Sequence, residues 1–219
     1  MFIGHYAVAL GAKRAAPRAS LGILVVAAQF LDLVWPVLLL VGWEQVRIVP
    51  SVANPFLRLE FVRYPYTHSL LAAAAWAAAF GGAVYLWKRS ERAALVVALL
   101  VISHWVLDWI SHVPDLPLAP GASVRVGLGL WRSPLAALAV EVAMFVAGAF
   151  LYDRATRPRD RLGAVLFWAF VVGLLAIEWI NFVGPPPPDV SSIAGLGLPA
   201  GWLLVAWAWW LDRHRIARS

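Results

Sequence analysis

Apolar residues in this chain neither alternate nor recur at a helical period; they run on. Six stretches, residues 21–41, 66–87, 93–113, 134–152, 162–183 and 190–211, are nearly unbroken runs of Leu, Val, Ala, Ile, Phe and Trp. Each has roughly the 20 residues that a helix rising about 1.5 Å per residue needs to cross a hydrocarbon core. The connections are short and rich in Arg, Pro and Gly, as in Arg154 to Arg161 and Pro185 to Pro188, and they punctuate helices rather than continue them. The pattern predicts an all-α polytopic membrane bundle of six transmembrane helices forming one domain over residues 1–219. The first twelve residues are apolar but too short to span. They predict a half-helix that starts inside the bilayer and emerges near Gly11, an arrangement tolerated when the segment is buried in protein. The alternative is a solvated tail carrying His5. The nearby positive charges follow the apolar stretch, the reverse of a secretory signal, so no cleavage is expected.

Composition removes other classes. Of 219 residues, 62% are hydrophobic and 14% charged, with a mean hydropathy of +0.76. Soluble domains are nearer one half and one quarter, so an ordinary water-soluble enzyme is excluded. The chain has no Cys, which excludes a disulfide framework, a thiolate-bound zinc and a thiol nucleophile; a metal would have to be held by His, Asp and Glu. The thirteen Trp suit membrane interfaces.

The net charge of +6 would suggest nucleic acid in a soluble chain. Of the 18 Lys and Arg, however, 13 fall on one side of the predicted spans: Lys13, Arg14 and Arg18, then Lys88, Arg89 and Arg92, then Arg154, Arg157, Arg159 and Arg161, and finally Arg213, Arg215 and Arg218. Arg47, Arg58, Arg63, Arg125 and Arg132 fall on the other. The positive-inside rule then places both termini in the cytoplasm. The basic excess is a topology signal, and the expected partner is the lipid bilayer, with no nucleic acid.

Ionisable side chains inside a membrane cost at least about 2.5–3.5 kcal/mol each on insertion scales and are usually functional. The first span carries Asp32, the second opens with Thr67 and His68, the third holds His104, Asp108 and His112, the fourth Glu141, and the fifth Glu178 and Asn181. At about 1.5 Å per residue, Asp32 and His104 lie about 17 Å and Asp108 about 23 Å above the cytoplasmic side, with Glu141 about 11 Å below the outer surface. The groups converge on the outer half of one bilayer. His104, Asp108 and His112 are spaced i, i+4, i+8 and share one helical face, and a His and an Asp one turn apart can reach a single cation. Structural roles stand beside this reading. Asp32 could satisfy backbone groups freed by Pro36, His112 could be a solvated helix-end imidazole beside Pro114, and Glu178 with Asn181 could make an interhelical polar contact.

The string Ser103-His-Trp-Val-Leu-Asp-Trp-Ile-Ser-His-Val-Pro-Asp115, with Thr67-His68-Ser69 and Phe2-Ile-Gly-His5, resembles the bacterial family of membrane-bound, metal-dependent hydrolases, small multispanning inner-membrane proteins. The matching parts cover roughly the first half of the chain. The resemblance implies a bacterial inner (plasma) membrane location and a metal centre formed by His5, Asp32, His68, His104 and Asp108. Here the third-span element continues into His112-Val-Pro-Asp, where many relatives turn through Gly or Pro without that His, so His112 is a further ligand or none.

The function expected is hydrolysis of a lipid or other amphiphilic substrate by a metal-activated water. Zinc is the expected ion, with manganese or iron as alternatives for a mixed His and carboxylate site. Asp108 and Glu141 are the candidate catalytic groups, Glu141 as general base or as an orienting residue. Arg58, Arg63, Arg125 and Arg132 are candidates for binding an anionic head group, with interfacial charge as their ordinary role. The alternative function is a transporter or channel for a divalent metal ion or protons, which would need polar groups continuing to the cytoplasmic side. A purely structural role for the polar groups as glue between helices is the third reading, and four acidic residues in spans argue against it.

Overall fold

The computed structural model describes residues 1–218 and is a helical bundle, as the apolar runs predict. In chain order the helices are α1 (Ile3–Ala12), α2 (Leu21–Ala28), α3 (Phe30–Leu40), α4 (Leu70–Lys88), α5 (Glu91–Ser111), α6 (Pro134–Ala155), α7 (Arg161–Val183) and α8 (Val190–Arg213). Local sequence explains where they start. Ser20, Ser69, Ser90, Asp160 and Asp189 each accept a backbone N–H of the first turn, and Pro134 opens α6 where a missing N–H does no harm. Five of the helices are long and apolar enough to span a membrane on their own.

The first predicted span, residues 21–41, is not one straight helix. It is broken at Gln29 into α2 and α3, bent by 55°. The predicted second span begins too early as well: Thr67 and His68 precede α4, whose cap is Ser69. The short N-terminal helix exists as a buried element, with Ile3, His5, Ala9 and Leu10 all at or near zero exposure, which removes the solvated-tail alternative.

α1 lies against α6, α2 and α5 in the middle of the bundle, and Ile3, Leu10, Leu24, Leu31, Val101 and Phe145 belong to one core. The contact with α6 depends on Gly148, where an added Cβ would fall 2.3 Å from the Ala7 carbonyl oxygen. The outward faces are apolar too. Leu71, Leu95, Phe150, Val165, Leu196 and Leu203 are exposed at 55–75%, as lipid-facing positions should be.

Short strands close both ends. At one end β1 (Gln45–Ile48) pairs antiparallel with β2 (Leu59–Arg63), and β3 (Leu116–Pro117) with β4 (Arg125–Val126). Val46, Leu59, Phe61, Leu116 and Val126 of these strands cluster with Trp35 and Tyr64. At the other end β5 (Thr156–Pro158) pairs with β6 (Arg215–Ala217). There a buried Lys13 ammonium meets the Asp212 carboxylate at 2.8 Å, and Tyr152 donates to the other Asp212 oxygen at 2.9 Å.

Candidate metal centre

The bend at Gln29 builds the site. Breaking the helix there leaves the Ala28 carbonyl to an outside donor, and Nδ1 of His104 on α5 reaches it at 2.7 Å. A carbonyl only accepts, so Nδ1 carries the proton and Nε2 is the nitrogen left over. That Nε2 points at Asp32 Oδ1 on α3, 3.6 Å away, and at Asp108 Oδ2 one turn further along α5, 3.2 Å away.

His68, on the turn before α4, directs its Nε2 into the same space, 3.4 Å from Asp32 Oδ1 and 3.6 Å from Asp108 Oδ2. His5, on α1, places Nε2 3.2 Å from Asp108 Oδ1 and stacks on His104 with ring centroids 3.7 Å apart and planes 5° from parallel. The Met1 amine also donates to Asp108 Oδ1 at 2.6 Å. Two three-residue groups, His5 with Asp32 and His104, and His68 with His104 and Asp108, could each hold a metal ion, their ligand atoms lying within 4.8 Å of one another.

The donor set suits a divalent cation. Both nitrogens of His5 and Nε2 of His104 are buried without a hydrogen-bond partner of good geometry, and buried polar groups in that state are rare. The nitrogen-to-oxygen separations of 3.2–3.6 Å exceed the 2.7–2.9 Å typical of a charge-assisted hydrogen bond. They match the spacing of about 3.4 Å between two atoms each about 2.1 Å from one ion at a tetrahedral angle. Four of the five side chains are closed off at 0–4% exposure, whereas the Asp32 side chain is 38% exposed, so the cluster opens on the Asp32 side. No backbone group freed by Pro36 bonds the Asp32 carboxylate among the described residues, so that structural reading is replaced.

His112 is not part of this cluster. It caps the end of α5, its Nδ1 meets Asp115 Oδ1 at 3.0 Å, and its ring packs 4.0 Å from Trp131 and 4.9 Å from Phe61. α5 ends at Ser111, and His112 leaves it in extended backbone with its ring packed among the loop aromatics instead. It is buried rather than solvated. Asp115 also accepts from Tyr64 at 2.8 Å, and burial, with Asp115 beside it, pushes the Tyr64 hydroxyl up, keeping it a donor.

Glu141, on α6, accepts the Phe2 and Gly4 backbone N–H groups at 2.7 and 3.3 Å through Oε2 and so ties down the first turn of α1; its Oε1 is buried without a partner. Glu178 is buried and Asn181 exposed, and no hydrogen bond joins them among the described residues.

The four candidate head-group arginines diverge. Arg58 donates to the Gly184 and Val52 carbonyls and Arg125 to the Asp115 carbonyl, so both hold loops together. Arg132 is exposed beside Gly129. Arg63 lines an open concavity of about 450 Å³ with Gly42, Trp43 and Tyr66.

Sequence reasoning overlooked Glu44, which is 1% exposed and accepts three hydrogen bonds from Tyr66 and Thr67. An acidic residue just beyond a span is ordinary, and no spacing in the sequence links it to residues more than twenty positions on. The sequence model described as YdjM inner membrane protein matches residues 1–184. No curated protein and no solved structure matches the chain.

Proposed function

The chain belongs to the YdjM inner membrane protein family, a multi-pass inner-membrane family within the group of bacterial membrane-bound metal-dependent hydrolases, and on that footing we propose that it is a hydrolase acting on a lipid or other amphiphilic substrate. The observation that carries this is the convergence of His5, Asp32, His68, His104 and Asp108 from four separate elements onto one buried point with ligand-like spacing. Both metal-competent groups draw on Nε2 of His104, because its Nδ1 is committed to Ala28, and one lone pair serves one ion. The centre therefore takes a single divalent cation, zinc by its mixed nitrogen and oxygen donors, with manganese or iron as alternatives. Such an ion, held by His5, Asp32, His68, His104 and Asp108, would supply Lewis acidity and an acidified water.

The protein's own groups do the rest. Asp32 marks the open side, where the scissile group enters. Glu141 holds His5 in place through the first turn of α1 and offers Oε1 to take the proton of the attacking water. Asp108 faces three of the candidate ligand rings and would complete the donor set as the second carboxylate. Arg63, with Trp43 and Tyr66 at the rim, suits an anionic head group. The 13-to-5 distribution of basic residues supports cytoplasmic termini and, with them, a centre in the outer half of the membrane.

The test is to purify the protein in detergent without added metal, measure bound transition metals, and incubate it with a lipid extract read by mass spectrometry. About one equivalent of metal, lost in His104→Ala and Asp108→Ala, and a hydrolysed lipid are expected. Less than about a tenth of an equivalent would sink the centre. Unaltered lipids together with metal flux into proteoliposomes would put the transporter reading in its place.

A further inference from the structure

His68 reaches the cluster through Nε2, and its other nitrogen is held by a chain of two more residues. Thr67 Oγ1 lies 2.7 Å from His68 Nδ1 and 2.7 Å from Glu44 Oε2. Oε1 of Glu44 accepts the backbone N–H groups of Tyr66 and Thr67 at 2.8 and 2.9 Å. All three residues of the chain are at most 3% exposed, so these bonds are shielded from bulk water.

The directions follow from what each group can do. A carboxylate only accepts, so the single hydroxyl proton of Thr67 goes to Glu44. The threonine oxygen then faces His68 as an acceptor, and Nδ1 must bring the proton. That leaves Nε2 with its lone pair aimed between Asp32 and Asp108. His104 reaches the same state through the Ala28 carbonyl.

We infer that Glu44 and Thr67 are positioning residues that keep the proton of His68 on Nδ1 and so present Nε2 to a cation, an inference that rests on the metal-centre reading above. Glu44 sits where the first span meets the β1–β2 hairpin, so the chain also couples the outer loops to the ligand.

The isosteric change Glu44→Gln makes a sharp test. The two backbone N–H groups hold the amide oxygen in the Oε1 position, which puts the amide NH2 against Thr67. The hydroxyl must then turn to donate to His68 Nδ1, and the imidazole proton moves to Nε2, the nitrogen a cation would need. With 15N-histidine label in detergent micelles, the wild type should show a directly bonded proton on His68 Nδ1 with and without metal. Glu44→Gln should lose that proton and bind zinc about 10- to 100-fold more weakly, the range for lost outer partners of ligating histidines. Thr67→Val should weaken zinc similarly, and Thr67→Ser should restore affinity to within about threefold of the wild type.

A role for Glu44 confined to capping backbone would leave Nδ1 and zinc affinity unchanged in Glu44→Gln, and that result overturns the inference. If Glu44→Gln does not fold, equal zinc affinity in the Thr67→Val and Thr67→Ser proteins overturns it instead. Because Nδ1 is read in the metal-free protein, a wild type that binds no metal would refute the centre while leaving the state of His68 separately measured.

Discussion

The imidazoles of His5 and His104 lie face to face, 3.7 Å between centroids and 5° from parallel. Two imidazolium rings so placed would repel strongly in a buried setting. A cation bound by the cluster, as proposed, would let both rings remain neutral. Replacing His5 with Phe keeps the stack and the packing of α1 but removes the nitrogen. His5→Phe should fold and bind zinc at least about tenfold more weakly, a loss of roughly 1.4 kcal/mol. Titration calorimetry checks this, and unchanged affinity would take His5 out of the centre. Chelation should lower the melting temperature of the wild type and leave Asp108→Asn unmoved, because a ligand at 100 times its dissociation constant stabilises by about 2.7 kcal/mol.

Lys13 and Asp212 join α1 to the end of α8 through a 2.8 Å ion pair whose side chains are only 6% and 10% exposed. Removing one partner of such a pair leaves the other charge buried. Lys13→Met should therefore destabilise by about 3–5 kcal/mol, and Lys13→Met with Asp212→Leu by clearly less. Thermal unfolding in detergent reads both; equal losses in the single and the double variant would show that the charge pairing is immaterial.

Gly148 lets α6 approach the α1 backbone, where an added Cβ would meet Ala7 oxygen at 2.3 Å. Gly148→Ala should cost about 1–3 kcal/mol through overpacking and also weaken zinc binding, because α1 carries His5. Gly82→Ala on α4 is the control, with open space around it. If the two variants melt alike, the close packing of α1 on α6 is not what holds His5.

Asp160 links the turn before α7 to the chain end, accepting from His214 Nδ1 at 2.8 Å. That hydrogen bond first, and the Gly163 N–H second, hold its carboxyl below the ordinary value of 3.8. A lowered acid stabilises the native form above its unfolded value, and the contribution disappears as pH falls through the native one. Hydrogen exchange of residues 215–217 in β6, taken relative to the intrinsic rate at each pH, should thus accelerate below about pH 3.8 in the wild type. In Asp160→Ala it should be fast at every pH, and a parallel pH profile in that variant would contradict the assignment.

How much of this was legible beforehand differs by residue. The apolar runs gave α4 to α8 nearly to their ends, since hydropathy accumulates along the chain and needs no partner. Asp108 and His104 stood out because ionisable groups are costly in hydrocarbon. The break at Gln29 was invisible, as neither Gly nor Pro stands there, and Pro36, the residue that invited a kink, lies inside α3. His112 shared a helical face with the candidate ligands His104 and Asp108 in the linear pattern, but past the end of α5 its ring packs against Phe61 and Trp131.

Membrane residence and the candidate donors thus follow from residue type and position in the chain alone, because the penalty for placing a charge in lipid applies to each residue separately. Which donors share one point, and which proton each histidine carries, depend on groups far apart in sequence: the Ala28 carbonyl released by a bend, Glu44 across a hairpin from Thr67, and Glu141 on the first turn of α1. Hydrogen bonds act over about 3 Å and in one direction, so their outcome is set when the helices pack.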